Sequence, residues 1–140
     1  MRVKLNSNGY TKKYEKDKNV SIVGDYNNDA EIQEWIVNGG IVEPEFTEAE
    51  LLTQAQEELS NAVQSHLDSK AREFRYDDMK SARSYAGYTN AFQAEAISLG
   101  QWASECWVYA GQVEADVLAG TRTMPTPTEL IAELPVYVGL

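Results

Sequence analysis

The stretch that decides the fold is residues 92–118, FQAEAISLGQWASECWVYAGQVEADVL. Within it Phe92, Ala96, Leu99, Ala103, Cys106, Ala110, Val113 and Val117 recur at steps of 4, 3, 4, 3, 4, 3 and 4. Residues three and four apart stack on one helical face, so the eight form a single apolar stripe. The pattern predicts a helix from Ala91 to Leu118, capped by Thr89 or Asn90 and stopped at Gly120, where the chain needs a left-handed residue. Small side chains dominate the middle of the stripe, at Gly100, Ala103, Cys106, Ala110 and Gly111. A neighbouring helix is therefore expected to approach closely there.

Upstream, Thr47 followed by Glu50 reads as a capping box, and Leu52, Ala55, Leu59, Ala62 and His66 follow at steps of 3, 4, 3 and 4. Leu51, Val63 and Leu67 widen that stripe, giving a second long helix to about Phe74. A shorter helix is expected over Tyr76 to Ala86, opening at Asp77 and Asp78 and closing at Gly87. Downstream, Thr126-Pro127-Thr128-Glu129 starts a last helical turn or two with a second capping box, ended by Pro135. The tail Val136-Tyr137-Val138 is apolar and β-prone, and either pairs as a strand or stays exposed until a partner covers it.

The front of the chain follows a different rhythm. Val3 and Leu5 alternate with polar residues, Asn8-Gly9 is a tight-turn dipeptide, and Val20-Ser21-Ile22-Val23 is β-branched and ends at Gly24. These predict a two- or three-stranded β element whose Lys-rich stretch, 12–18, is a mobile loop. Asn28 or Asp29 then caps a two-turn helix carrying Ile32, Trp35 and Ile36 on one face and ending at Asn38-Gly39-Gly40. Pro44 makes Ile41 to Pro44 an extended connector. The expected architecture is mainly α: an antiparallel helical bundle built on two long helices, with a small N-terminal β element. Four segments follow: 1–28, the β element with its basic loop; 29–46, the Trp-containing helix and connector; 47–135, the helical domain; and 136–140, the apolar tail. The 3, 4 spacing suits an intramolecular antiparallel pair and equally a parallel trimer, so homo-oligomerisation is left open.

A chain of 140 residues can bury a sizeable core without staples. Its single cysteine cannot form an internal disulfide, which makes a reducing cytosol the expected compartment. No apolar run approaches the ~20 residues needed to cross a bilayer, and the first residues lack the apolar segment of a signal peptide, so neither export by that route nor membrane insertion is expected. The net charge is −10, distributed unevenly. Residues 1–18 hold six cations against Glu15 and Asp17, a net of +4, which leaves −14 for the remainder. Between Lys18 and Lys70 lie eleven carboxylates and no Lys or Arg. Such a surface repels phosphate backbones, which argues against a nucleic-acid partner. It serves either as a solvated face or as a docking face for a basic partner.

Little in the chain suggests chemistry. One histidine and one cysteine, 40 residues apart, do not form a metal-ligand cluster. His66 and Cys106 both fall on apolar stripes and read as core residues, Asp77-Asp78 as helix caps, and Asn38-Gly39-Gly40 is too short for a phosphate loop. No cofactor and no catalytic residue are expected. The aromatic side chains are more informative. Tyr76, Tyr85, Tyr88, Phe92, Trp102, Trp107 and Tyr109 fall within 34 residues, more than one small core requires. They either fill the core with a few rings at its rim or form a recognition patch, since rigid rings give much contact area for little lost entropy. The candidate partner-binding residues are Trp35, Tyr76, Tyr85, Tyr88, Trp102, Trp107 and Tyr137.

Three ordered segments carry a resemblance: Val63-Gln64-Ser65-His66-Leu67-Asp68 through Phe74-Arg75-Tyr76-Asp77-Asp78, then Ser81-Ala82-Arg83-Ser84-Tyr85-Ala86-Gly87, then Asn90-Ala91-Phe92-Gln93-Ala94-Glu95-Ala96. Together with the ending from Gly120 to Pro135, about half the chain resembles the C-terminal region of bacteriophage tail assembly chaperones and tail-fibre assembly proteins. Glu34 to Gly40 with Glu43-Pro44-Glu45 is similar to the Trp-containing helix and connector that precede that region in tail-fibre-associated proteins. The family usually has glycine where Arg75 stands, so the resemblance leaves room for a different turn between the second and third helices here. The resemblance implies a non-catalytic role in which phage tail or tail-fibre proteins are the partners. A chaperone would act in the host cytoplasm during assembly; the alternative is a permanent virion subunit of the fibre, baseplate or tail tip, adding strands to its neighbours through the β element and the tail.

Overall fold

The computed structural model describes residues 1–14 and 19–139. The expected basic loop falls partly on residues 15–18, which lie outside the described residues. The chain divides into two compact units, Met1–Leu51 and Leu52–Leu140. The segments 1–28 and 29–46 contribute to one core, at Val3, Tyr10 and Ile32, and Tyr137 of the tail packs against the core of the helical segment.

In the first unit β1 (Arg2–Asn6), β2 (Gly9–Lys13) and β3 (Asn19–Val23) form an antiparallel sheet in that order. Asn6 pairs with Gly9, so the tight turn is Ser7-Asn8 and falls one residue earlier than expected. Gly9 is needed at the first position of β2 because a Cβ there would collide with the Ile22 carbonyl. Side chains alternate across a strand, so Val3, Leu5, Tyr10, Lys12, Val20 and Ile22 share one face. Helix α1 (Ala30–Val37) completes the core with Ile32, Trp35 and Ile36. It ends in a Schellman motif: Gly39 is left-handed at φ +96°, and the Gly40 N–H donates to the Trp35 carbonyl at 2.9 Å. The connector is extended as expected and adds to the sheet. Glu43 accepts from the Leu5 N–H at 2.9 Å and donates its own N–H to Val3 at 2.8 Å, covering the outer edge of β1.

Lys12 departs from the expectation. It is not part of a mobile loop: its ammonium is buried and meets Asp29 at 2.6 Å and Glu31 at 3.3 Å. Asp29 joins three elements. It caps α1 by accepting from the Ile32 N–H at 3.3 Å, takes the Tyr10 hydroxyl at 2.7 Å, and holds Lys12 from β2. A position on the inner face, at the register of Val3, puts Lys12 there, and the cap of α1 neutralises it.

The second unit contains most of α2 (Glu48–Glu73), together with α3 (Met79–Ser84), α4 (Gln93–Leu118) and α5 (Pro127–Glu133). The chain is thus mostly helical, with two long helices and a small three-stranded sheet. In α2 the Thr47 hydroxyl accepts from the Glu50 N–H at 3.1 Å, which fixes the expected start. The buried line is rotated from the expected one: Val63, Leu67 and Ala71 are at its centre with Leu59 partly covered, while Ala62 and His66 lie at the margin. Steps of four follow the inclined ridge of a helix instead of a coiled-coil seam.

The α4 stripe is buried at Ala96, Leu99, Ala103, Cys106 and Val113. Its closest backbone neighbours are α3 and the 3-10 turn Tyr85–Gly87, not α2. The reason is local: the Arg83 stem lies 3.5 Å from the Cβ position that Gly100 leaves open, whereas α2 faces α4 through bulky side chains. Two pairs link α2 to α4: His66 stacks edgewise on Trp102 at 5.7 Å, and the Gln56 amide donates to Glu114 at 3.2 Å.

The ends of α2 and α4 share one motif. Gly120 is left-handed at φ +77°, with the Thr121 N–H on Asp116 at 3.0 Å; Arg75 is left-handed at φ +72°, with the Tyr76 N–H on Ala71 at 3.1 Å. The third helix starts at Met79, with Asp78 of the expected Asp77-Asp78 pair as its cap, accepting from the Ser81 N–H at 2.7 Å, and its last turn, Tyr85–Gly87, is 3-10. Thr126 and Glu129 close the expected capping box of α5. The tail does not pair as a strand. Tyr137 docks between Phe74 and Trp102, at 5.5 and 5.6 Å, while Val136 and Val138 are 81% and 91% exposed.

Candidate partner-binding site

Four aromatic rings gather at the turn between α3 and α4. Tyr85 is the hub, with ring centres of Tyr76 at 5.8 Å, Tyr88 at 6.4 Å and Phe92 at 5.6 Å. Tyr76 forms the base: its hydroxyl donates to Glu95 at 2.8 Å, and burial together with that carboxylate pushes its pKa up to about 12. Tyr88 and Phe92 form the rim, 55% and 53% exposed. Asn90 locks the turn that carries them. Its amide donates to the Tyr85 carbonyl at 2.8 Å and the Tyr88 carbonyl at 2.7 Å, and its oxygen accepts from the Phe92 N–H at 2.8 Å. Gln93 adds a bond to Ala86 at 3.2 Å. The backbone that carries the rings is thus fixed by side-chain bonds, an arrangement that would lower the entropy cost of binding a partner.

A second feature of this unit is an apolar cleft of about 140 Å³, walled by Leu59, Val63, Trp107, Val113, Val117 and Met124. A void near ~150 Å³ accommodates a benzene-sized group, and small-molecule sites start near ~300 Å³. The cleft therefore fits one side chain and is too small for a cofactor. Trp107 is the only candidate aromatic on its wall.

The remaining candidates are placed differently. Trp102 is not at a surface: it is 5% exposed, and its indole N–H donates to the Pro135 carbonyl at 2.7 Å. A tryptophan one step off the stripe of a 26-residue helix is drawn inward here by the returning tail. Tyr137 is half-buried, with its hydroxyl 3.1 Å from Ser98. Trp35 belongs to the first unit, where its ring covers Gly40. Phe92 was missed as a site residue because the 4, 3 repeat was carried one step too far. Helix α4 starts at Gln93, so the ring stands before the stripe and in solvent. The signal that could have found it is Asn90, a strong turn former two residues earlier.

The acidic stretch is partly used inside the protein. Asp29 and Glu31 hold Lys12, Glu43 pairs with Arg2 at 2.8 Å, and Asp68 accepts from the Met79 N–H at 3.0 Å. Cys106 is buried against Pro135, and burial pushes its thiol up to about 11, so it is a core residue without thiolate character. His66 is held below its ordinary pKa by burial and then by Lys70, and stays neutral near pH 7. Among the described residues no three His, Cys, Asp or Glu side chains converge as metal ligands, and no helix is long and apolar enough to cross a membrane. Comparison with protein-family models, curated proteins and solved structures finds no match.

Proposed function

We propose that this chain is a non-catalytic binding protein that holds another protein chain through the rim of Tyr85, Tyr88 and Phe92. The observation that carries the reading is the pair of half-exposed rings on a turn locked by Asn90, since large rigid aromatics dominate the energetics of protein interfaces. The sequence resemblance supplies the partner class: a subunit of a bacteriophage tail or tail fibre, held during assembly in the host cytoplasm. The apolar cleft beside Trp107 would take one bulky side chain of that subunit. The rim is carried on an antiparallel helical bundle, a reading supported by the opposite order of the pairs His66 with Trp102 and Gln56 with Glu114 along α2 and α4.

The test is co-expression of the full chain with candidate tail and tail-fibre subunits, followed by pull-down. Capture is expected, and changing Tyr85, Tyr88 and Phe92 together to Ala should weaken it by roughly 30-fold or more, as hot-spot losses of ~2 kcal/mol imply. Undiminished capture by a folded triple variant would refute the site. A second reading, a permanent virion subunit, is favoured by the exposed valines of the tail and the open strand β3. Mass spectrometry of purified particles separates the two, because a chaperone is absent from mature virions and a subunit is present at fixed stoichiometry.

A further inference from the structure

We infer that β3 is a pairing edge for a second copy of this chain, joining two three-stranded sheets across a two-fold axis at Ser21. The inference is independent of the aromatic rim. Hydrogen-bond parity decides which backbone groups of β3 are open. The Gly24 N–H donates to Asn8 at 3.0 Å, and β2 and β3 keep one register throughout, so the bonded pairs between them are Tyr10 with Ile22 and Lys12 with Val20. The backbone groups of Asn19, Ser21 and Val23 therefore point away from the sheet. The opposite edge is covered, since Val3 and Leu5 spend their outward groups on Glu43. Among the described residues no backbone partner meets Ser21 or Val23 on the open side.

An edge of this kind normally carries a lysine, a proline or a bulge that discourages pairing. From Asn19 to Gly24 there is none, and there is no charge of either sign, in a chain whose net charge is −10. Two copies of most surfaces of such a protein repel one another; two copies of this strand do not. The occupant follows from the symmetry of the strand itself. With antiparallel pairing about Ser21, Ser21 bonds to its counterpart and Asn19 to Val23 of the other copy, so every outward N–H meets an outward carbonyl. On the inner face Val20 comes against Ile22 of the other copy, and Ile22 against Val20. These are non-hydrogen-bonded pairs, where side chains sit closest and β-branched residues pack well. Val20, 36% exposed, would be covered by that contact. The result is one continuous six-stranded sheet with an isologous interface.

The experiment is sedimentation of the full chain over a concentration series, with amide hydrogen exchange on the same samples. The mass should rise from 15.6 kDa towards twice that value. As it rises, the amides of Ser21 and Val23 should slow, while those of Val20 and Ile22, already bonded to β2, stay unchanged. Ser21→Lys, on the solvent face, puts like charges opposite each other, and Ser21→Pro removes the outward N–H without touching the bonds to β2; both should abolish the rise in mass while the thermal transition persists. A mass fixed at one chain throughout overturns the inference. So does a dimer in which Ser21 and Val23 exchange as they do in the monomer, or one that a folded Ser21→Lys chain still forms.

Discussion

The two units solve the same problem with opposite means. The second is organised around an apolar cluster from α2, α3, α4 and α5, with Val63, Leu67, Met79, Leu99, Ala103 and Cys106 at its centre. Among the described residues of the first, the buried apolar side chains are Val3, Tyr10 and Ile32, and the bonds of one carboxylate, Asp29, tie β2 to α1. A unit of about 50 residues buries a smaller fraction of its surface than a larger domain does and has little apolar stabilisation to spare. A buried ion pair with a well-placed cap then has influence that it would not have in a larger core. Packing should therefore decide the stability of the second unit, and charge that of the first.

The sharpest way to break the comparison is to put a charge where packing rules. Ala103 is fully enclosed, and Ala103→Asp buries a carboxylate without a partner, at a cost of at least about 3–5 kcal/mol. Amide exchange should show the α2 and α4 amides losing protection. Retention of the parent's cooperative transition would mean that the seam is not packed as described. Ala110→Asp, at a half-buried place on the same stripe, should cost less.

The counterpart in the first unit is Asp29→Ala, expected to cost about 3 kcal/mol, because it removes the cap of α1 and strips the buried Lys12 ammonium of its nearest partner. Loss should be confined to the amides of β1 to β3 and α1. Acid should act at the same place. Lys12 first, then the Tyr10 hydroxyl and the Ile32 N–H, hold the Asp29 carboxyl below its ordinary value near 3.8, so the folded unit binds protons more weakly than the unfolded chain. Its contribution is whole above that ordinary value and is lost as pH falls through the lowered one. Lys12, raised chiefly by Asp29, contributes fully below its ordinary 10.5 and loses that contribution as pH climbs through its raised value.

What could be read in advance divides along the same line. The α4 stripe was legible because an unbroken 4, 3 repeat of apolar residues permits one buried face, and the glycines at 39 and 120 mark helix ends by their tolerance of positive φ. Lys12 was not legible: a lysine among lysines signals solvent, and only the extension of β2 to Lys13 puts it on the face of Tyr10. The α2 stripe was misplaced by one residue, about 100° around the helix, because Val63 and Leu67 stand beside Ala62 and His66, and a 3, 4 repeat and a run of fours both fit the apolar residues from Leu59 to Ala71. The rim was half legible. Composition announced an excess of rings, but which of them remained outside depended on a tail returning from far along the sequence to cover Trp102.

A smaller effect tests the helix ends. Arg75 holds the left-handed position that glycine fills at the end of α4, with the same pair of backbone bonds and an added steric cost from its Cβ. Arg75→Gly should stabilise the second unit by about 1 kcal/mol, read as a rise in its thermal midpoint, and leave the first unit unchanged. A fall would show that the arginine side chain holds the turn through contacts that outweigh its backbone strain.

The smallest expected effect is a slope in mild acid that belongs to the second unit alone. His66 stacks edgewise on Trp102, where burial and then Lys70 hold its pKa below the ordinary 6.5. The unfolded chain therefore gains the proton first. Stability should fall as pH drops from about 7 through the lowered folded value and level off below it, the reverse of a histidine that gains an acidic partner. This window lies above the one in which Asp29 titrates, so the two units soften in separate ranges of pH. His66→Gln keeps a polar group at the margin of the stripe without a titrating ring, and should flatten the slope in the α2 and α4 amides while the acid loss in the β amides persists. A slope that survives the substitution would move the proton to another group and break the assignment of the upper window to the stacked pair.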